Sequence, residues 1–228
     1  MRLVAALSAL VLLAACQSEV PDASTPDAST PDASAPAVPA AASDATSPEP
    51  GSAAPAFALV ATSGDTLRLA DYAGQTVVLE WLNYDCPFVG KHYGGQAMQR
   101  LQTEATGEGV AWLSIVSSAP GEQGHFSPEA MDARTAQEGG QQTAVLLDPD
   151  GTVGRAYGAR TTPHMFVIDG AGRVVYNGAI DDRPSSDRAT LDGARNYVAE
   201  ALAAVREGRT PEMTRTQPYG CSVKYADA

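Results

Sequence analysis

The sequence predicts an α/β sandwich whose sheet contains both parallel and antiparallel strands. Segments 76–82 and 110–116 are almost continuously apolar, which is typical of strands covered on both faces of a sheet. Helical segments alternate with such strands along the chain, and this order indicates a layered α/β domain. Hydrophobic residues make up 44% of the 228 residues, enough for a core, but aromatic residues make up only 6%, so we expect that core to be mainly aliphatic.

Each predicted element has a local signal. The elements are, in order, strands over 57–60, 66–69 and 76–82, a helix over 86–106, a strand over 110–116, a helix over 127–137, strands over 144–147, 164–168 and 173–176, and a closing helix over 191–205. The turn residues Ser63-Gly64-Asp65 separate the first two strands. Pro87 suits the first position of a helix and Ser127 is a good N-cap, whereas Gly94 and Gly95 weaken the first helix in its middle.

The charge balance and the residue counts exclude several classes of function. The chain has 15 Lys and Arg against 27 Asp and Glu, a net charge of −12, and no basic stripe, so nucleic acid is not an expected partner. Three cysteines and three scattered histidines are too few for a four-cysteine zinc or iron–sulfur site, and we predict no metal. The sequence has no Gly-x-Gly-x-x-Gly motif, so we also predict no nicotinamide or flavin cofactor.

The first 54 residues predict export and a tether. Residues 1–15 resemble a bacterial lipoprotein signal peptide, with an apolar run too short to span a membrane and with Leu-Ala-Ala directly before Cys16. Cys16 would then be lipidated; the alternative is an ordinary signal peptide that happens to contain a cysteine. Residues 16–54 repeat Pro-Asp-Ala-Ser and are rich in proline, so we predict a disordered linker before a single domain over 55–228.

This N-terminus predicts a location in the bacterial cell envelope, with the lipid holding the chain to a membrane. Gln17, rather than an aspartate, follows Cys16, and this favours the outer membrane. The domain would face an oxidising extracytoplasmic space. After processing, Cys86 and Cys221 are the two cysteines of the domain.

Cys86 is the strongest candidate for chemistry because it lies where a buried strand turns into a helix. The N–H groups and the dipole at the start of a helix favour an anion, so a thiol there loses its proton more easily and becomes a nucleophile. Lys91 and His92 follow about one turn later and would add positive potential. The alternative is a buried, inert cysteine.

A second candidate feature is Thr162-Pro163, directly before the strand that starts at His164. A proline at the first residue of a strand is tolerated as an ordinary edge feature. It is also typical of a cis peptide bond whose loop faces an active thiol. The residues alone leave the two interpretations equal.

Together these features resemble the thioredoxin superfamily. The stretch 80–93 reads Glu-Trp-Leu-Asn-Tyr-Asp-Cys-Pro-Phe-Val-Gly-Lys-His-Tyr and is similar to the peroxiredoxin-like redoxins of the alkyl hydroperoxide reductase and thiol-specific antioxidant group. The tail from Gly220 to Tyr225 resembles the Gly-Cys-x-Ile-Lys-Trp ending of that branch. The resemblance covers roughly 55–228 and implies a thioredoxin-like three-layer sandwich, with Cys86 as redox nucleophile and Pro163 as cis-proline after Thr162.

The sequence departs from these families at two positions before Cys86. Asn83 replaces the first cysteine of the thioredoxin Cys-x-x-Cys motif, so a local dithiol cannot form. In the peroxiredoxin motif Pro-x-x-x-Thr-x-x-Cys, Leu79 replaces the proline and Asn83 the threonine that orients peroxide; the Asn83 amide could hydrogen-bond instead. The family also places an arginine beside the reactive sulfur, for which Arg160 and Arg183 are candidates.

Cys221 is the expected resolving partner of Cys86. A sulfenic acid at Cys86 would condense with it to a disulfide, which prevents over-oxidation. The alternative is a static disulfide that attaches the tail to the domain. The adjacent acids Asp181 and Asp182 are interpreted as part of a solvated loop.

The sequence thus predicts a thiol-dependent oxidoreductase. Its substrate would be a peroxide or a protein disulfide, with peroxide favoured, and its reductant would be an external thiol. Two alternatives belong to other classes. One is a copper-handling module, for which a second thiolate near Cys86 is missing, and the other is a non-catalytic binding lipoprotein that keeps the fold.

Overall fold

The computed structural model describes residues 47–226 of the chain. The predicted signal peptide, Cys16 and most of the predicted linker lie outside the described residues. Within residues 47–226, no helix has the length and the apolar character needed to cross a membrane.

The described chain contains nine strands and five α-helices. The strands are β1 (Ala58–Ala61), β2 (Thr66–Arg68), β3 (Val77–Trp81), β4 (Ala111–Val116), β5 (Ala144–Leu147), β6 (Thr161–Thr162), β7 (His164–Ile168), β8 (Val174–Gly178) and β9 (Cys221–Ser222). The helices are α1 (Pro87–Gly94), α2 (Ala97–Gly107), α3 (Pro128–Glu138), α4 (Thr152–Ala156) and α5 (Tyr197–Arg206). Short 3-10 helices occupy Leu69–Tyr72 and Arg188–Leu191.

Seven strands form one mixed sheet in the order β2-β1-β5-β4-β3-β7-β8. β3, β4 and β5 are parallel neighbours, whereas β7 pairs with β3 in antiparallel register and β8 with β7. The two-residue strands β6 and β9 pair separately with each other. The predicted mixed α/β sheet is therefore confirmed.

The sheet separates two apolar clusters, because side chains alternate between its faces along each central strand. On β3, Val78 packs with residues of α1, α2, α3 and α5, whereas Val77, Leu79 and Trp81 pack on the other face with residues of α4 and the N-terminal strands. All five residues of β3 are buried. The strand that leads to Cys86 is thus fixed from both faces and from both edges.

The helix predicted over 86–106 is two helices, and this is a correction. α1 ends at Gly94 and α2 starts at Ala97, with Gln96 in the left-handed region at φ 57°. The break brings Arg188 and Leu191 so close that a Cβ at Gly94 or Gly95 would lie 2.2 or 2.4 Å from them. The two glycines therefore do more than weaken the predicted helix, because α1 ends at them.

The closing helix is also shorter than its apolar spacing predicts. It begins at Tyr197 because the side chain of Asn196 accepts a hydrogen bond from the Ala199 amide at 2.9 Å and caps it. Leu191 lies in a 3-10 helix instead. The short elements α4, β6 and β9 were not predicted, since segments of two to five residues carry little periodicity.

The last residues assigned to the disordered linker pack against the domain. The Gly51 amide donates to the Val174 carbonyl at 2.7 Å, and the Ser47 hydroxyl donates to the Tyr157 carbonyl at 2.9 Å. Residues 47–54 of the predicted linker therefore lie against the domain.

Candidate active site

Cys86 occupies the junction between the central strand β3 and helix α1. It is the N-cap residue of α1, with extended backbone at φ −80° and ψ 124°, and Pro87 fills the first helical position. The Cys86 amide donates to the Asn83 carbonyl at 3.0 Å, which closes the turn between strand and helix. The residue is only 1% exposed, so its thiol faces protein groups rather than bulk water.

The second cysteine reaches Cys86 from the C-terminal tail. The Sγ atoms of Cys86 and Cys221 are 2.7 Å apart, and no disulfide joins the two residues in this structure. Cys221 is brought there by the antiparallel pairing of β9 with β6, in which Thr162 is opposite Cys221 and Thr161 opposite Ser222. The structure therefore brings together two residues that are 135 positions apart in sequence.

A glycine permits this approach of the tail. Gly220 has a φ of +143°, and a Cβ built on it would lie 2.1 Å from the Thr162 carbonyl oxygen. No side chain fits at that distance, so the residue directly before Cys221 has to be glycine for β9 to pair with β6 in this register.

The Thr162-Pro163 peptide bond is cis, as the resemblance implied. The Thr162 carbonyl lies 3.0 Å from the Cys86 sulfur and accepts from the protonated thiol. The Thr162 hydroxyl is buried and has no other hydrogen-bond partner within residues 47–226, so it can donate to a thiolate at Cys86 and lower the pKa of that thiol.

The two thiols have opposite pKa shifts. Burial raises the pKa of Cys86, but hydrogen bonds with Cys221 and Thr162 and from the backbone at Val89 outweigh it, so the pKa of Cys86 is lowered. The pKa of Cys221 is raised to about 11 by burial, by its hydrogen bond with Cys86 and by the charge of a Cys86 thiolate. These opposite pKa shifts favour the thiolate form at Cys86 over Cys221.

Asn83 is buried next to this site, and its side chain makes hydrogen bonds to the backbone of two loops. Its Oδ1 accepts from the Asp85 amide at 3.0 Å, and its Nδ2 donates to the Gln123 carbonyl at 3.3 Å. These bonds fix the turn before Cys86, and they leave one N–H and one lone pair of the amide unused, so the predicted hydrogen bond of Asn83 to a substrate stays a prediction.

Lys91 lies about one turn after Cys86, but its ammonium group makes hydrogen bonds to other residues. Its Nζ donates to Asp181 Oδ2 at 3.0 Å, to the Arg183 carbonyl at 2.8 Å and to the Tyr219 hydroxyl at 3.2 Å. An ammonium has three donors, so none is left for the Cys86 sulfur. Lys91 therefore makes its hydrogen bonds away from Cys86, and the contribution of its positive potential to the site stays a prediction.

Neither candidate arginine donates a hydrogen bond to Cys86 in the described part of the chain. Both residues are exposed, and the Arg183 guanidinium lies 3.4 Å from Asp182. Within the described residues, the pKa of Cys86 is lowered by hydrogen-bonding groups.

Sequence reasoning missed two residues close to the site, Asp181 and Tyr219. Asp181 is 3% exposed and pairs with Lys91, so its interpretation as part of a solvated loop is wrong. Tyr219 lies two residues before Cys221, and its hydroxyl donates to Asp181. The sequence drew attention to Asp181 only as one of two adjacent acids, and to Tyr219 only through its position near Cys221.

Comparisons with known proteins identify the family of the chain. A family model for redoxins matches residues 49–194, a range that includes Cys86 and Pro163 and ends before Cys221. No functionally curated protein matches the chain significantly.

Two solved structures are similar over most of the domain. An uncharacterised conserved protein from Geobacillus kaustophilus is 28% identical, with a TM-score of 0.69, over 78% of this chain and 93% of that one. A hypothetical protein from Sinorhizobium meliloti is 26% identical, with a TM-score of 0.65, over 80% of this chain and 98% of that one. The mixed sheet, the cysteine at the start of α1 and the cis-proline loop make the fold thioredoxin-like, and the family match supports thiol-based redox chemistry. The chain belongs to the redoxin family, within the thioredoxin superfamily.

Proposed function

We propose that this protein is a thiol-dependent oxidoreductase that cycles Cys86 and Cys221 between two thiols and one intramolecular disulfide. The observation that carries the proposal is the 2.7 Å separation of the two Sγ atoms. The opposite pKa shifts of the two thiols support it, because they divide the roles of nucleophile and resolving group.

In the peroxidase reaction, the Cys86 thiolate attacks one oxygen of a peroxide ROOH. The O–O bond breaks, Cys86 becomes a sulfenic acid, and the alkoxide leaves and takes up a proton as ROH. Cys221 then attacks the sulfenic sulfur, and the disulfide forms with loss of water. Two equivalents of an external thiol reduce the disulfide and are themselves oxidised to a disulfide. The near-complete burial of Cys86 favours an oxidant as small as a peroxide.

Thiol–disulfide exchange without peroxidase activity is the second candidate, and one observation favours it. This reaction needs a second cysteine near the nucleophile, which Asn83 denies within the local motif. Cys221 supplies that second thiol from the tail. Here Cys86 would attack a substrate disulfide, release one thiol, and pass the mixed disulfide to Cys221, which releases the other thiol.

The test uses the reduced protein from Ser47 to Ala228, with Cys86→Ser and Cys221→Ser as matched variants. Hydrogen peroxide or a small-molecule disulfide is mixed with each, the Trp81 and Trp112 fluorescence is followed by stopped flow, and the products are identified by mass spectrometry. We expect a Cys86–Cys221 disulfide in the wild type, a persistent sulfenic acid or mixed disulfide in Cys221→Ser, and no rapid oxidation in Cys86→Ser.

The reaction is assigned from the reagent that oxidises the wild-type protein faster than it oxidises free cysteine. Hydrogen peroxide would indicate a peroxidase, and the small-molecule disulfide would indicate thiol–disulfide exchange. A wild-type protein oxidised by neither reagent faster than free cysteine would contradict both candidates and leave a non-catalytic role.

The location of the reaction is proposed from the N-terminus alone. We place it in the bacterial cell envelope, on a chain lipidated at Cys16 and held at a membrane. The support is the sequence of residues 1–16. Metabolic labelling with a fatty acid, absent in Cys16→Ala, is the measurement; equal labelling of both would contradict lipidation at this residue.

A further inference from the structure

Beside the two cysteines, four polar side chains form a buried cluster that the proposed cycle does not use. The Tyr219 cluster consists of Lys91 and His92 from α1, Asp181 from the segment after β8, and Tyr219 from the tail. The first three are 1–3% exposed. The cluster therefore joins the helix that starts at Cys86 to the tail that carries Cys221.

The Tyr219 hydroxyl uses its full hydrogen-bonding capacity within this cluster. It donates to Asp181 Oδ1, accepts from Lys91 Nζ at 3.2 Å, and lies 3.3 Å from His92 Nε2. A hydroxyl has one donor and two lone pairs, so the three contacts satisfy it when His92 carries its proton on Nε2. Such a hydroxyl has one favoured position.

The partners of the hydroxyl are themselves fixed. The Lys91–Asp181 ion pair has side-chain exposures of 0% and 2%, and a buried pair is stable only when further hydrogen bonds satisfy it. Those bonds are present, because Lys91 also donates to the Arg183 carbonyl at 2.8 Å and Asp181 accepts from the Arg183 amide at 2.9 Å. The pair is therefore a rigid anchor for the tail.

The ring of Tyr219 makes a second link to the nucleophile. It packs edge-to-face on Phe88, with centroids 5.8 Å apart, and Phe88 is two residues after Cys86. On the other side, Gly220 and Cys221 follow Tyr219 directly, with Gly220 against the Thr162 carbonyl. The hydroxyl and the ring together set where the chain enters β9.

We infer that Tyr219 is a positioning residue. Its hydroxyl, bound to the other three members of the Tyr219 cluster, holds Cys221 within reach of Cys86. This inference deepens the proposed function and rests on it. Positioning matters because two groups held in reactive geometry behave as if at a very high local concentration, which falls when one of them can move.

The test compares Tyr219→Phe with Tyr225→Phe. Tyr219→Phe keeps the ring on Phe88 and removes only the hydroxyl. Tyr225 is a matched control, because it lies on the same tail and its hydroxyl donates to the Ala159 carbonyl outside the cluster. Each protein is equilibrated with reduced and oxidised glutathione, and the fraction with a Cys86–Cys221 disulfide gives the effective concentration of Cys221.

We expect the effective concentration to fall about tenfold in Tyr219→Phe, the order expected for one charge-assisted hydrogen bond. The change in Tyr225→Phe should stay within roughly twofold. A Tyr219→Phe protein equal to the wild type, or equal to Tyr225→Phe, would overturn the inference. The free energy of unfolding is measured in urea for each reduced protein. If Tyr219→Phe does not fold, His92→Leu takes its place, because it removes one contact of the Tyr219 hydroxyl and leaves the Lys91–Asp181 pair intact.

A second readout separates this inference from the proposed function. In a Cys86→Ser background, the rate at which a bulky maleimide labels Cys221 reports how firmly the tail is held, without any redox step. A wild type that forms no disulfide contradicts the proposed function alone. Labelling of Cys221 that is about tenfold faster in Tyr219→Phe supports the positioning role, and unchanged labelling overturns it.

Discussion

The two halves of the candidate site are built in different ways. Cys86 follows β3, whose five residues are all buried and pair with β4 on one side and β7 on the other. Cys221 lies in a strand of two residues, partly exposed, that pairs only with another two-residue strand. Cys86 falls within the residues matched by the redoxin model, and Cys221 lies after them.

This difference shows how one site can contain a fixed group, Cys86, and an adjustable one, Cys221. Hydrophobic burial around β3 is non-directional and extensive, so Cys86 does not depend on any single contact. Cys221 depends on a few directional bonds and on one close backbone approach at Gly220. In the proposed cycle Cys221 has to change its bonding, and a tail held by a few directional bonds beyond the Tyr219 anchor allows this without disturbing the core.

The largest expected difference between the two regions is in amide hydrogen exchange. The Leu82 amide donates to the Ile115 carbonyl at 2.9 Å, and the Val223 amide donates to the Arg160 carbonyl at 3.0 Å, so both are hydrogen-bonded. We expect the Val223 amide to exchange about a thousandfold faster, because the tail can open locally whereas Leu82 requires global unfolding. Exchange measured by NMR on the reduced protein checks this. Equal protection of the two amides would show that the tail unfolds only with the core.

A substitution at Gly220 tests whether the backbone approach holds the tail. In Gly220→Ala the new Cβ collides with the Thr162 carbonyl, so β9 has to leave β6 and Cys221 moves away from Cys86. We expect formation of the Cys86–Cys221 disulfide to slow about a hundredfold, the cost of a misplacement near 1 Å. The rate is measured by quenching with a thiol-blocking reagent after oxidation.

Gly208→Ala is the control for this substitution. Gly208 also has a positive φ, +68°, but a Cβ there meets no atom within 4 Å. Its disulfide should form at the wild-type rate. If both variants slow equally, backbone strain rather than displacement of the tail is responsible.

The same contrast explains what the sequence could and could not predict. β3, the turn at Asn83 and the start of α1 at Pro87 follow from local apolar runs and helix-start signals, so the position of Cys86 was predictable. The pairing of Thr162 with Cys221 joins two-residue strands far apart in the chain, and no local pattern encodes it. The resemblance of the tail pointed to Cys221 as a residue, and the fold was needed to bring it to Cys86.

The polar groups around the thiols were the least predictable part. Lys91 was identified from its spacing, but its partner Asp181 is ninety positions away, and the sequence does not show that the two meet. The same holds for Tyr219, whose ring alone would suit an ordinary apolar contact. Contacts between distant segments determine which charges are paired, and these depend on the whole topology.

The smallest effect we predict is on the titration of Cys86 when its partner is removed. Burial raises the pKa of Cys86, while the hydrogen bond with the Cys221 side chain is foremost among the contacts that lower it. In Cys221→Ala that donor is lost, so the pKa of Cys86 should rise. Since only the thiolate is nucleophilic, alkylation of Cys86 at neutral pH should then slow several-fold.

Cys221→Ser is the control, because its hydroxyl can still donate and should keep the pKa of Cys86 near that of the wild type. The thiolate ultraviolet absorbance, followed against pH, gives the midpoint for each variant. If the midpoint in Cys221→Ala equals or lies below that in Cys221→Ser, the start of α1 and the Thr162 hydroxyl stabilise the thiolate without the tail, and the two regions of the site are electrostatically independent.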